Sequence, residues 1–145
     1  MAYFKFVKKI LAGEPIDIYN YGKHRRDFTY IDDIVAGVIK ASDHTATADP
    51  QWNSDTPDAA TSNAPYRIYN IGNQQPVELL YFIELIEKNL GLEAKKNLLP
   101  MQAGDVPDTF SDVSALMNAV GYKPDTPIEI GVQRFVSWYR DYYGT

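Results

Sequence analysis

The chain has 145 residues, of which 14 are Lys or Arg and 19 are Asp or Glu, so its formal charge is −5. It contains no Cys, which excludes disulfides, zinc–thiolate sites and thiol nucleophiles. No apolar run approaches the roughly 18 residues that span a bilayer, and a pI near 4.9 argues against general nucleic-acid binding, which needs a basic face. A hydrophobic fraction of 45% is sufficient for one folded domain, and the lack of disulfides fits a cytoplasmic location.

The first forty residues predict two helices joined by extended segments. Apolar side chains recur every three or four positions over 3–11, a helical pattern. A short strand is predicted at 16–18, followed by a basic turn at 23–26 and a second extended stretch at 27–30. A further apolar stripe predicts a helix from 31 to 39.

Residues 43–65 differ in composition from the rest of the chain. They are rich in Ala, Thr, Asp, Ser and Pro and contain one large apolar residue, Trp52. A loop of this length is uncommon inside a compact domain, so we predict a disordered insertion there, within a single domain that spans residues 1–145.

Helices and short strands alternate in the remainder of the chain. The predicted elements are a strand at 67–71, a helix over 79–90 with Pro76 in its first turn, a weak strand at 97–100, and helices over 113–120 and 128–143. Five helices and a few short strands indicate a mixed α/β fold with too few strands for a doubly wound sheet of its own. No G-x-G-x-x-G turn and no phosphate-binding P-loop is present in the sequence.

The run KHRRDF is the most marked electrostatic feature. A guanidinium pairs bidentately with phosphate oxygens, so Arg25 and Arg26 are candidates for binding a small anionic ligand, although from the spacing alone a solvated turn is favoured. His24 is predicted to be an exposed turn residue. Asp32 and Asp33 are interpreted as complementing the dipole at a helix start rather than as a catalytic carboxylate pair. With two His and no paired spacing, no metal site is predicted.

The loop Gln102-Ala103-Gly104-Asp105 carries a second candidate. Its Asp carboxylate can accept hydrogen bonds from a pair of sugar hydroxyls, whereas in an ordinary turn it would bond its own backbone. Tyr30, Tyr66 and Tyr69 are interpreted as core or rim residues.

Three blocks of the sequence, in this order, closely resemble the C-terminal half of nucleotide-sugar epimerases. They are IDIYNYGKHRRDFTYIDDIVAGVIKA, YRIYNIGNQQPVELLYFIELIEKNLG and LPMQAGDVPDTFSDVSALMNAVGYKP. These enzymes are extended short-chain dehydrogenase/reductases of Rossmann type, and the nearest resemblance is to UDP-glucuronate 4-epimerase. The resemblance covers nearly the whole chain outside 43–65.

The resemblance implies an NAD-dependent reaction in the parent enzyme. NAD takes hydride from C4 of the sugar while a Tyr of a Y-x-x-x-K motif takes the hydroxyl proton, and the keto intermediate is reduced on its other face. The NAD fingerprint and this motif lie in the N-terminal half of such enzymes, and Met1-Ala2 matches an internal Met-Ala. The chain is therefore expected to be a C-terminal fragment without catalytic residues, without a metal, inactive alone and unable to bind NAD alone.

The resemblance also assigns substrate-binding residues. Arg26 matches the diphosphate-binding arginine of the R-D-F motif, and Asp105 matches the residue that holds the ribose hydroxyls. Gln102 stands where many members have an Arg, which weakens a second phosphate contact and favours the glucuronate branch. Tyr19 and Phe28 flank Arg26 and are expected to shape the base and ribose pocket. The implied partners are a UDP-sugar, the N-terminal Rossmann half and, as a further candidate, a second copy of the chain.

Two other functions remain open at this point. The parent enzyme is alternatively a nucleotide-sugar 4,6-dehydratase or decarboxylase, because these reactions begin with the same oxidation at C4. A non-catalytic module that self-associates through its terminal helices is the alternative from a different class, since it needs no cofactor motif.

Overall fold

The structure is a computed structural model that describes residues 2–145, so Met1 and its part in the Met1-Ala2 match lie outside the described residues. The helices are α1 (Ala2–Leu11), α2 (Ile31–Asp43), α3 (Leu79–Leu90), α4 (Ser114–Val120) and α5 (Ile128–Tyr143), and the strands are β1 (Ile16–Ile18), β2 (Arg25–Asp27), β3 (Pro76–Glu78) and β4 (Lys96–Leu98). The prediction of a mixed fold of helices with a few short strands is confirmed. Over these residues, no helix combines the length and the apolar character needed to cross a membrane.

The backbone forms two compact units. The first consists of residues up to Phe28, Gln75–Phe110 and Thr126–Thr145, and the second consists of Thr29–Gln74 and Ser111–Asp125. The first unit therefore holds α1, α3, α5 and all four strands, whereas the second holds α2 and α4.

Three helices and one strand form the core of the first unit. Helix α3 packs against α1 and α5, and its Ile83 and Ile86 are completely buried. Val7 of α1 and Ile16 and Ile18 of β1 are buried in the same cluster. Full burial of one such side chain contributes about 1.5–3 kcal/mol, so this cluster is the main source of stability in the unit.

Aromatic side chains join α1 to α5. The Tyr3 and Phe135 rings meet edge to face with centroids 4.9 Å apart, and those of Phe4 and Tyr139 lie 5.2 Å apart. Such pairs add to the stability beyond the area they bury. One face of α1 is therefore used inside the unit rather than offered to a partner, while α5 keeps Trp138 exposed on its outer side.

The four strands form two separate pairs. Strand β1 runs parallel to β4, with Ile16 opposite Lys96, so the weak strand expected at 97–100 is found at 96–98. Strand β2 runs antiparallel to β3, with Arg26 opposite Val77. The second extended stretch thus lies at 25–27 rather than 27–30, because its partner fixes these residues.

Two predictions near the second half of the chain are wrong. Residues 67–71 form no strand, since none of the described strands pairs with them, and the backbone N–H of Ile68 instead donates to the Ala60 carbonyl. Pro76 lies in β3 opposite Asp27, not in the first turn of α3. Proline is tolerated at the first residue of such an edge strand because no ladder hydrogen bond requires its missing N–H.

The second unit is organised around α2. Gly37 of α2 lies so close to Ile71 and Tyr122 that a Cβ would sit 3.2 and 3.3 Å from their side chains. The Tyr122 hydroxyl donates to the Asp33 carbonyl at 2.9 Å. Burial, together with the nearby Asp33 charge, raises the pKa of Tyr122.

The first turn of α2 carries Asp32 and Asp33, as predicted. The N-cap residue is Tyr30, which makes no capping hydrogen bond through its side chain. The two carboxylates lie where their charge complements the helix dipole.

The outer face of α2 is apolar and exposed. Ile31, Val35, Val38 and Ile39 follow helical spacing, and between 49% and 61% of each residue is exposed to solvent. A continuous apolar stripe of this kind marks a surface that packs against other protein.

The segment predicted as an insertion consists of consecutive turns. Asp49, Asn53 and Asp58 each accept a backbone N–H two residues further on, the pattern of an Asx turn. Its disorder stays a prediction. The Asp49 carboxylate also lies 3.7 Å from the Arg67 guanidinium.

Gly22 provides a test of packing in the first unit. Its φ is 80°, and an added Cβ would lie 2.6 Å from the Leu80 side chain. We expect Gly22→Ala to lower the free energy of unfolding by about 2–4 kcal/mol, because left-handed strain and overpacking add. Gly91, which ends α3 at φ 69° with nothing near its Cβ position, is the matched control, and Gly91→Ala should cost about 1–2 kcal/mol. Equal losses in urea unfolding would contradict the close approach of Leu80.

A hydrogen bond between α3 and α5 predicts a pH dependence. The Tyr81 hydroxyl donates to Glu129 Oε1 at 2.6 Å, which lowers the pKa of Glu129 and raises that of Tyr81. Its stabilisation is complete above the ordinary Glu pKa and is lost as the pH falls through the lowered one. At the basic end it is complete below the ordinary Tyr pKa and is lost as the pH rises through the raised one.

We therefore expect Tyr81→Phe to raise the pKa of Glu129 toward its ordinary value, measured by carbon NMR titration of the glutamate carboxyls. The control Tyr66→Phe, in the other unit, should leave that pKa unchanged. An unaltered Glu129 titration in Tyr81→Phe would show that the bond does not persist in solution.

Candidate functional site

The segment after Gly104 lies alongside β2. The backbone N–H of Arg25 donates to the Pro107 carbonyl at 2.9 Å, and the N–H of Thr109 donates to the Arg25 carbonyl at 3.1 Å. The N–H of Asp27 adds a bond to the Thr109 hydroxyl. These bonds bring the R-D-F run and the Gln102–Asp105 loop, which are far apart in the sequence, to one place in the first unit.

Arg26 occupies the centre of this arrangement. Its Nη1 donates to the carbonyls of Arg25 and Pro107 at 3.0 and 2.9 Å, and its Nη2 donates to Asp105 Oδ1 at 3.1 Å. Within residues 2–145 these contacts use three of the five N–H donors of a guanidinium. The side chain is 26% exposed, so Nε–H and one Nη2–H remain for an anion that approaches from solvent.

Asp105 is held by its own turn. Gly104 has a φ of 83°, and the Asp105 N–H donates to the Gln102 carbonyl at 3.2 Å. The Val106 N–H donates to Asp105 Oδ1 at 2.9 Å. Gln102 itself is exposed. The structure thus brings Asp105 to Arg26. Gln102 contributes its backbone carbonyl to the turn.

His24 is not the exposed turn residue that the sequence predicted. It is only 4% exposed, and its Nε2 lies 3.3 Å from Asp105 Oδ2. Its carbonyl accepts the backbone N–H of Leu79, which ties it to the start of α3. The basic neighbours predicted a solvated turn. The period of two that places His24 on the same face as Arg26 applies only once residues 25–27 are known to form a strand.

The charges around the site balance. Residues 23–27 carry three cations and one carboxylate, and residues 105–108 carry two further carboxylates. Arg25 Nε lies 4.0 Å from Asp108, both largely exposed. The basic turn is therefore compensated, and an anion would be recognised by directed N–H groups rather than by excess positive charge.

Tyr19 and Phe28 lie at either end of the same stretch. The Phe28 ring stacks on Phe82 with centroids 4.2 Å apart, at the edge of the core. Tyr19 begins a 3₁₀ turn, Tyr19–Gly22, and is half-buried. Their expected role in a ribose and base pocket stays a prediction.

One Y-x-x-x-K spacing occurs in the chain, from Tyr19 to Lys23, which corrects the expectation that the motif is absent. It does not lie on an α-helix, where residues four apart share a face. Asn20 and Tyr21 between them have φ values of 51°, so the segment is a tight, strained turn. The spacing therefore lacks the geometry that would place a Lys beside a Tyr hydroxyl.

Comparisons of sequence place the chain beside known proteins. The NAD dependent epimerase/dehydratase family matches residues 1–72. The chain is 54% identical over 143 residues to an uncharacterised 37.6 kDa protein in the cld 5′ region of Escherichia coli O111:H-, covering 99% of this chain and 43% of that protein. It is 47% identical over 147 residues to a probable UDP-glucuronate 4-epimerase of Rhizobium meliloti, covering 99% and 42%. The chain thus spans less than half the length of these relatives.

Comparison of structures agrees with the sequence matches. UDP-glucuronic acid 4-epimerase from Bacillus cereus, in complex with UDP-glucuronic acid and NAD, superposes with a TM-score of 0.77 at 26% identity. The match covers 99% of this chain and 40% of the Bacillus cereus chain.

Proposed function

We propose that this chain, which is similar to the C-terminal part of nucleotide-sugar epimerases of the NAD dependent epimerase/dehydratase family, binds the nucleotide diphosphate of a UDP-glucuronate-like substrate. The observation that carries the proposal is the contact between Arg26 and Asp105, 79 positions apart in the sequence. The two residues that the family resemblance assigns to the nucleotide are thereby joined in one site.

The donors and acceptors of this site suit the two parts of a nucleotide diphosphate. The remaining N–H groups of Arg26 form charge-assisted bonds with phosphate oxygens. The Asp105 carboxylate, one third exposed, accepts hydrogen bonds from the two ribose hydroxyls. Gln102 contributes no charge, so we infer that the diphosphate relies on Arg26 rather than on a second arginine.

The residues present do not form a dinucleotide cradle. Strand β3 continues directly into α3 at Glu78 and Leu79, and residues 28–30, which connect β2 to α2, contain no glycine. Neither connection is the glycine-rich turn that brings a helix N-terminus against a pyrophosphate. We therefore propose that NAD is bound by the N-terminal part of the enzyme, which the relatives contain and which this chain does not match.

We also infer that the exposed face of α2 packs against that same portion. The stripe from Ile31 to Ile39 is apolar and exposed in this chain, and the relatives have more than half of their length left to cover it. This supports a two-part enzyme over a self-associating module.

Calorimetry with UDP tests the binding role. We expect weak binding by the wild-type chain and a loss of about tenfold or more in Arg26→Ala, since a hydrogen bond to a charged group contributes about 1.5–3 kcal/mol. Arg26→Lys keeps the charge and loses the fork, so it should also bind more weakly.

Arg25→Ala is the matched control for this test. The Arg25 side chain points to solvent beside Asp108, and its removal should change UDP affinity less than about twofold. Absence of UDP binding by the wild-type chain, even after the N-terminal part of a relative is added, would overturn the proposal.

Activity gives a second test. We expect this chain alone to convert no UDP-glucuronate to its C4 epimer, even with NAD, because no described residue pair provides the Tyr and Lys geometry. Adding the N-terminal part of a relative should restore turnover, followed by chromatography of the sugar nucleotide. Release of a decarboxylated or dehydrated product would assign the chain to a different reaction of the superfamily.

A further inference from the structure

The buried imidazole of His24 has a polar atom without a hydrogen-bond partner. Among the described residues no acceptor meets hydrogen-bond geometry with Nε2, and the group it faces is Asp105 Oδ2 at 3.3 Å. A buried polar group is normally bonded, and one left without a partner is costly. The imidazole therefore points at the carboxylate of the candidate site without yet bonding it well.

The two oxygens of Asp105 face different donors. Oδ1 accepts from Arg26 Nη2 and from the Val106 N–H, whereas Oδ2 faces His24. The side chains of His24 and Arg26, two residues apart in the sequence, lie at the same end of β2. The carboxylate thus lies between the partly exposed Arg26 guanidinium and the buried His24 ring.

The backbone that carries the ring is held by hydrogen bonds at His24 and at the next residue. The His24 carbonyl accepts the N–H of Leu79, and the next residue, Arg25, bonds the Pro107 carbonyl. The first bond ties this backbone to the start of α3, and the second ties it to the segment that carries Asp105. Nε2 and Oδ2 are 3.3 Å apart, within reach of a hydrogen bond.

We propose that His24 is a positioning residue for Asp105, an inference that rests on the proposed nucleotide binding. When a diphosphate binds the remaining N–H groups of Arg26, the bonds from Arg26 Nη2 and the Val106 N–H hold Oδ1 of Asp105 and leave Oδ2 facing His24. The Nε2–H of His24 then donates to Oδ2. This bond holds the carboxylate in the orientation that directs it at the ribose hydroxyls.

The test is UDP affinity of the full chain in a series of variants. His24→Met removes the donor and should weaken UDP binding about tenfold, the size expected for a hydrogen bond to a charged group. His24→Gln places an amide N–H near the position of Nε2 and should stay within about twofold of the wild type. His44→Met, an exposed histidine in the other unit, is the control and should bind normally.

A double-mutant cycle separates positioning from packing. In an Asp105→Asn background, His24→Met should cause no further loss, because the residue it positions is already changed. If His24→Met does not fold, His24→Asn, whose amide lies near Nδ1 instead, should bind about tenfold more weakly than His24→Gln.

The outcomes distinguish this inference from the proposed function. Three results would overturn the role of His24 alone. They are normal UDP binding by His24→Met, equal UDP binding by the His24→Gln and His24→Asn variants, and an undiminished loss of UDP affinity when His24→Met is added to Asp105→Asn. No UDP binding by the wild-type chain overturns the proposed function and this inference with it.

Discussion

The burial of α3 is the constraint on which the first unit depends. This helix packs against α1 and α5, and its Ile83 and Ile86 are fully removed from solvent. The three helices come from separate parts of the sequence, so α3 is what holds those parts together. Its first backbone N–H, from Leu79, bonds the His24 carbonyl, and the core thereby also fixes the start of β2 and the site.

The candidate site would have to bind an anion in a chain that is itself acidic. A diphosphate is repelled by a net charge of −5, and the three cations of the basic turn are matched by three nearby carboxylates. Long-range attraction is therefore weak, and the proposed recognition relies on short, directed bonds from a guanidinium that carbonyl oxygens already orient. Pre-orientation reduces the entropy lost on binding, which partly offsets the missing attraction.

Much of the fold follows from the sequence because helical periodicity is a local signal. All five helices of the described residues were predicted, and Gly91 ends α3 in the left-handed conformation that glycine adopts readily. The prediction of a strand at 67–71 was wrong. A strand forms only beside a pairing partner, and the local sequence RIYNI carries no information on whether such a partner is present. Pro76 was misplaced for the same reason, since its pairing with Asp27 is a contact between distant residues.

Local sequence patterns also do not report the contacts between distant residues that form the candidate site. Arg26 and Asp105 were found through resemblance, because their roles depend on a ligand that periodicity does not describe. His24 was missed because its charged neighbours favour solvent, yet its burial is set by Leu79 and by the loop that carries Asp105. Arg26, Asp105 and His24 and the contacts that fix them all lie in the first unit. The proposed nucleotide end of the site therefore needs only the core that this unit provides, whereas C4 chemistry needs residues that the described chain does not place there.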